Sequence, residues 1–386
     1  MVDNVHSEAG AAPHLVFLVT EDWFFVSHFL PMARAACELG LRVTVITRVR
    51  DHVAAIAATG ARVVPLQAER RSLNPLAVAA TLKRLRQLLR DERPDILHCI
   101  ALRSIVLGGL AAPAGTAKVH ALTGLGFLGA RADVIGRTAR ALLRGVLRPL
   151  LDGPRTRFLF ENEDDARMLG LDPADAGKVA LVGGAGVDPA AFPVTRPAPS
   201  TSLRIAVVAR MLWSKGIDLA VEALTMARAA GADVTLSLYG APDPSNPRAV
   251  PEETLREWGA RPGIAWCGAT QDVPSVWRAH EVACLPSRGG EGLPRTLLEA
   301  GASGRAIVTT DVPGCRRLVR DGVEGLIVPP DNAIALAQAF VSLANDRVRV
   351  QEMGLAARAR VESGFTERHV MDTVKTLYAS LLRRPS

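Results

Sequence analysis

Residues 289–304 read GGEGLPRTLLEAGASG, a stretch with two carboxylates, Glu291 and Glu299, around the start of a helix. Pro294 fits the first helical position, where its missing N–H costs little. The amides of Gly292 and Leu293 would then point beyond the helix N-terminus, where an anion is favoured, and the glycines let a ligand approach closely. Neither glutamate would neutralise a phosphate, but each can accept hydrogen bonds from sugar hydroxyls. On these residues alone another reading stands beside this one: Glu291 simply favours the helix dipole and Glu299 caps nothing. Earlier, VVARMLWSKGIDLAVEAL puts Arg210 at the end of a strand and Lys215 just before a helix. Two cations at such a turn suit a diphosphate, whose charge they offset and whose oxygens they hydrogen-bond. They equally suit a solvated loop.

The elements that must hold these groups follow from periodicity. Apolar, β-branched runs at 14–20, 42–48, 61–67, 95–100, 118–123, 157–162 and 178–183 alternate with helical spacing, as in FLPMARAACELG and LAVAATLKRLRQLLR. Near-continuous apolar strands between helices predict a parallel, doubly wound sheet. A proline-rich interval, 188–203, breaks the rhythm and reads as a linker. Strand runs then resume at 203–210, 234–240, 264–268, 281–287, 306–310 and 325–329. The expected architecture is α/β, two Rossmann-like domains in tandem whose parallel sheets face a central cleft. The first spans 1–190 and the second 200–365, with a helix at 366–386 returning towards the first. Ligands in such folds sit off the carboxyl ends of strands.

A chain of 386 residues, 48% hydrophobic and 22% charged, is well-packed globular protein of about two domains. The net charge of +7 implies an anionic partner. With only 4% aromatics and no stacking platform, nucleic acid is not that partner. A phosphorylated small molecule or an anionic membrane surface fits better. The five cysteines are scattered, without metal-ligand spacing, which predicts a reducing compartment and no structural zinc. The N-terminus lacks the basic and apolar regions of a secretion signal, and no apolar run reaches the length of a spanning helix.

Taken in order, ARMLWSKG, EGLPRTLLEA with its two glutamates eight positions apart, and AIVTTDVPGCRRLVRDGVEGLIVPPDN closely resemble the retaining family-4 glycosyltransferases of GT-B fold. The likeness spans about 203–345 and is nearest to bacterial enzymes of surface polysaccharide and lipid-linked oligosaccharide synthesis. It implies that Arg210 and Lys215 hold the donor diphosphate and stabilise it as leaving group, while Glu291 binds hydroxyls of the donor sugar. Glu299 would bind the ribose, Gly292 and Leu293 would offer amides to phosphate, and Gly268 would receive the base. Fixed cations and helix amides stabilise a leaving diphosphate without a metal, and no DxD-type carboxylate pair is evident. Retention in the family is explained by front-face attack, with the donor phosphate accepting the proton of the attacking hydroxyl.

On the acceptor side, VTEDWFFVSHFLPMARAA follows the first strand without the glycine-rich turn many relatives carry. Asp22 or His28 would touch the attacking hydroxyl; otherwise the aromatics are core and His28 partners the first helix. Where many relatives have a His-Gly pair, this chain has Thr123 and Gly124, and His120 reads as structural. His98 and Arg103 flank the end of the fourth strand and line the cleft or serve the structure. RADVIGRTARALLRGVLRPLL (131–151) carries Arg131, Arg137, Arg140, Arg144 and Arg148, most of them on one side of a basic amphipathic helix. Such a helix docks on anionic membrane, each cation contributing about 1 kcal/mol near the surface; a solvated face on the sheet is the alternative. The expectation is a cytoplasmic enzyme, peripheral at the inner face of the membrane, moving a hexose or N-acetylhexosamine from a UDP-sugar to a polyprenyl-diphosphate-linked glycan. Its rivals are transfer to a soluble sugar phosphate or metabolite, a GT-B epimerase, and an inactive nucleotide-sugar-binding homologue.

Overall fold

A computed structural model describes residues 12–66, 74–124, 138, 141, 144–145, 151–243 and 246–383. All thirteen expected strands form, each with ends within two residues of the sequence reading. They are β1 (His14–Glu21), β2 (Arg42–Arg48), β3 (Arg62–Pro65), β4 (Ile96–Ile100), β5 (Ala117–Leu122), β6 (Thr156–Phe160) and β7 (Val179–Leu181) in the first half. The second half contributes β8 (Leu203–Val208), β9 (Val234–Tyr239), β10 (Ile264–Gly268), β11 (Val282–Leu285), β12 (Ala306–Thr310) and β13 (Gly325–Val328).

The first sheet runs β3-β2-β1-β4-β5-β6-β7 and the second β10-β9-β8-β11-β12-β13. Every pair in the second sheet is parallel. Its order is that of a Rossmann sheet, with the direction of winding reversing between β8 and β11. The first sheet reverses in the same way between β1 and β4, which are also parallel. Together they make the GT-B type of fold. Strand periodicity divides each buried strand between two cores. Leu203, Ile205 and Val207 pack with Val282, Cys284 and Val308 on one face of the second sheet. Ala206, Ala283, Leu285 and Ile307 face the other, against Leu297 and Leu298. Burial on both faces is why these strands read as unbroken apolar runs.

The chain forms two compact units. One comprises Met1–Ala121, Val146–Leu159 and Met371–Ser386; the other comprises Leu122–Gly145 and Phe160–Val370. In the first unit the helix residues from Met371 onward reach β4, where the Tyr378 hydroxyl meets His98 Nδ1 at 2.7 Å. Lys375 pairs with Glu38, and Arg155 donates to the Leu381 carbonyl. Among the described residues no helix is long and apolar enough to cross a membrane. Of the basic stretch 131–151, Arg131, Arg137, Arg140 and Arg148 lie outside the described residues; Arg144 is exposed.

Candidate functional site

The winding reversal of the second sheet opens a crevice off the ends of β8 and β11, and the two loops that leave those strands fill it. After β8 the chain passes Arg210 and makes a tight turn over Trp213–Lys215. It enters the Ile217–Ala229 helix through Gly216, in the left-handed region at φ 67°. A side chain here would sit 2.0 Å from the Pro286 carbonyl, so only glycine lets the two loops close on each other. Arg288 fastens them, with a two-pronged ion pair of 2.8 and 2.7 Å to Asp218 and a 2.5 Å bond to Asp331.

At the centre stands Glu291. Lys215 Nζ lies 2.6 and 2.8 Å from its two oxygens, and the Ser287 hydroxyl donates to Oε1 at 2.6 Å. The Lys215 and Glu291 side chains are 18% and 12% exposed. Burial pushes the Glu291 carboxyl up, but Lys215, Ser287 and Arg210 together outweigh it and hold the group below the usual carboxylate range. Glu291 is therefore an anion whose charge is shared with Lys215. Arg210 is half exposed, 3.7 Å from Asp243 Oδ2. One turn into the Arg295–Ala302 helix, Glu299 is 7% exposed and accepts from Arg295 Nε at 2.8 Å. Burial raises its carboxyl against the pull of Arg295. Gly268 ends β10 at φ 70° with open space where a side chain would stand. Pro294, expected as the first helical residue, precedes it instead.

The helix start differs from the sequence reading in a second respect. The Leu293 amide, expected to face phosphate, donates to Glu161 Oε2 at 2.6 Å and is not free. Glu161 follows β6 and is 4% exposed. Thr123 and Gly124, which follow β5, also reach this turn. A side chain on Gly124, at φ 96°, would meet Gly292 N at 2.5 Å. One on Gly292 would meet Glu161 Oε2 at 2.0 Å and the Thr123 carbonyl at 2.8 Å. Thr123 and Gly124 thus lie with Glu291 in the same unit, whereas Asp22, His28, His98 and Arg103 belong to the other.

Two of those four are not available for a substrate. Asp22 is fully buried, and its carboxylate is filled by backbone amides: Trp23 at 2.7 Å, Arg50 at 2.6 Å and His52 at 3.2 Å. It fastens the loop after β2 to the loop after β1. His98 is fully buried on the central strand, between Phe17 and Tyr378. Burial and neighbouring His120 lower it to about 3, so it is a neutral core residue. His28 is half-buried, its Nδ1 2.6 Å from the Ser27 hydroxyl and its ring against Phe24. Arg103 is half-buried on the Ala101–Ala111 helix that opens directly after β4. That helix begins at a residue the sequence reading passed over: Ala101 has φ 65°, a left-handed conformation rare for alanine, at the winding reversal of the first sheet.

Comparison with known proteins matches both halves in order. Residues 14–144 fit the family model for glycosyl transferase 4-like domains, and 202–346 fit that for glycosyl transferases group 1. The chain belongs to this glycosyltransferase family. Among its relatives is the N,N'-diacetylbacillosaminyl-diphospho-undecaprenol alpha-1,3-N-acetylgalactosaminyltransferase of Campylobacter jejuni, 26% identical over 342 residues, 83% of this chain and 87% of the relative. The phosphatidyl-myo-inositol mannosyltransferase of Mycolicibacterium smegmatis is 26% identical over 344 residues, 86% and 83% of the two chains. A glycosyltransferase structure from Rickettsia africae superposes with TM-score 0.75 at 17% identity, covering 97% of this chain and 100% of that one. Anabaena Alr3699/HepE, solved with UDP and glucose, superposes with TM-score 0.71 at 16% identity over 95% and 99%. The glycosyltransferase described here therefore carries Arg210, Lys215 and Glu291 in the winding-reversal crevice of its group 1 domain.

Proposed function

We propose that this glycosyltransferase moves a hexose or N-acetylhexosamine from a UDP-sugar to a polyprenyl-diphosphate-linked glycan, with retention and without a required metal. The observation that carries the reading is the Lys215–Glu291 pair beside Arg210 in the crevice of the second sheet. In the reaction the diphosphate takes up negative charge as the glycosidic bond breaks. Arg210 and Lys215 supply fixed positive charge there, where preorganised groups act most strongly. Glu291, kept ionised, accepts hydrogen bonds from donor-sugar hydroxyls, and Glu299 accepts from the ribose. Gly268 leaves space for the base. Attack comes from the leaving-group face, and a donor phosphate oxygen takes the acceptor's proton, so no protein nucleophile is needed. Thr123 and Gly124, packed on the Glu291 turn, stand nearest the sugar from the first half of the sequence. Support for the acceptor comes from the C. jejuni relative, named for an undecaprenol-linked substrate, and support for the donor from the UDP complex of the Anabaena protein.

A panel of nucleotide sugars with lipid-linked acceptors, run with and without EDTA, tests the reading. UDP-sugar turnover undiminished by EDTA is expected, with Glu291→Ala abolishing transfer yet retaining UDP binding. Transfer to soluble sugar phosphates alone, or from no UDP-sugar, overturns the acceptor or donor assignment respectively. The basic stretch 131–151 would place the enzyme on the inner face of the cytoplasmic membrane. Replacing Arg137, Arg140 and Arg144 with Glu should abolish cosedimentation with anionic liposomes; unchanged cosedimentation removes the membrane assignment.

A further inference from the structure

Glu161 is an acid in an unusual place. It is 4% exposed, it follows β6, and its Oε2 accepts the Leu293 amide at 2.6 Å. Among the described residues no cation acts on it. Asp165, on the Glu163–Met168 helix, and Glu291, on the turn itself, are the charged groups that act on it, and both are acidic. Thr123 brings its backbone carbonyl, and Gly124 its backbone, close to the turn it holds. On the Pro313–Leu318 helix, Cys315 is a buried thiol pushed up to about 12, and Arg316 is tied to Asp311 and Asp164. Burial first, then the two carboxylates, drive the Glu161 carboxyl up to about 8 against the pull of the Leu293 amide. At neutral pH it is a neutral acid whose carbonyl-like oxygen still accepts.

The turn it touches has little freedom of its own. Beyond the Gly124 and Glu161 contacts, a side chain on Gly314 would sit 1.3 Å from the Gly292 carbonyl, so that helix walls off the far side. Glu161 is the side chain that hydrogen-bonds the turn's backbone, one peptide beyond the residue after Glu291.

We propose that Glu161 is a positioning residue for transfer: by holding the Leu293 amide it sets the Glu291–Leu293 turn, and with it where the Glu291 carboxylate and the Lys215 ammonium stand. This rests on the reading of Glu291 and Lys215 as the donor-sugar and diphosphate groups. With Glu161 neutral, the anion paired with Lys215 is Glu291. Once Glu161 ionises, a second carboxylate presses on Glu291 from behind the turn, and donor geometry degrades. Transfer therefore falls as pH rises through about 8.

The test compares Glu161→Ala and Glu161→Gln with the wild type by pH profile of transfer, UDP affinity and thermal unfolding. Glu161→Ala should lower kcat at least tenfold and weaken UDP affinity by a smaller factor. Glu161→Gln, whose amide oxygen still accepts from Leu293, should recover most of that kcat and lack the alkaline limb. Wild-type kcat in the alanine variant, or an identical alkaline limb in the glutamine variant, overturns the proposal. Thermal unfolding separates this from failure of the functional reading. Glu161 ionises more easily unfolded than folded, so wild-type stability should decline from about pH 5 to pH 8 more steeply than that of Glu161→Gln. Equal slopes overturn the proposal even if no donor is found; unequal slopes without any transfer leave Glu161 as assigned and reject the donor chemistry.

Discussion

Removing the ammonium from Lys215, as in Lys215→Met, should make the Glu291 contribution to stability depend on pH between 5 and 7, where it is now flat. In the wild type the Glu291 carboxyl is held below its ordinary 4.5. Its contribution is present above that value and is lost only as pH falls through the lower folded value, so between pH 5 and 7 it is flat. Without Lys215, burial dominates and the folded value rises above 4.5, so stability instead drains away as pH climbs from 4.5. A buried charge that loses its partner costs about 3–5 kcal/mol, but Glu291 can escape by taking a proton. At pH 7 that escape costs about 2.5 pH units at 1.36 kcal/mol each, roughly 3.4 kcal/mol, and at pH 5 only about 0.7 kcal/mol. The variant's deficit should thus be larger at pH 7 than at pH 5 by up to about 2.7 kcal/mol. Urea unfolding of wild type, Lys215→Met, Glu291→Gln and the double variant at both pH values measures this, and the double variant should erase the difference. A deficit equal at pH 5 and 7, or a coupling below about 0.5 kcal/mol where contacting residues give 0.5–3, refutes the reasoning.

Other features make predictions of their own. Asp22→Ala leaves the Arg50 and His52 amides without their acceptor and should cost about 1–3 kcal/mol in urea unfolding; an unchanged midpoint would show that the loop is held by something else. Tyr378→Phe strips the His98 ring of its 2.7 Å partner inside the core and should cost about 1–3 kcal/mol, which a thermal melt would reveal. Ala101→Gly relieves a left-handed alanine and should stabilise by about 1–2 kcal/mol; a lower melting temperature would count against strain at that position.

Much of the fold was legible because burial on both faces writes an unbroken apolar run, and LRIAVV and VACL announce themselves whatever they pack against. The residues that follow such strands are also legible, which is why Arg210, Lys215 and Glu291 were named and do converge. What failed were residues whose distant partner leaves no side-chain pattern of its own. Asp22 beside three aromatics has the appearance of a substrate contact, yet the amides that fill it come from residues 50 and 52. His98 in ILHCI lies on a strand whose five residues are all buried, and a fully buried strand has no alternation to tell a core face from a ligand face. Glu161 went unnoticed for the converse reason. The signal was present as an acid ending the apolar run RFLF, but its partner is the backbone of Leu293, which no side-chain pattern records.

The composition of the first unit bears on how the chain leaves the ribosome. Residues 371–383 belong with the first 121, yet the whole of the second sheet is synthesised between them. Domains usually fold in order of emergence, the N-terminal one first. Here β4 emerges with His98 facing a gap that Tyr378 fills only some 280 residues later. Until then the face of β4 that carries His98 lacks its Tyr378 cover, and truncation before Tyr378 would leave it so.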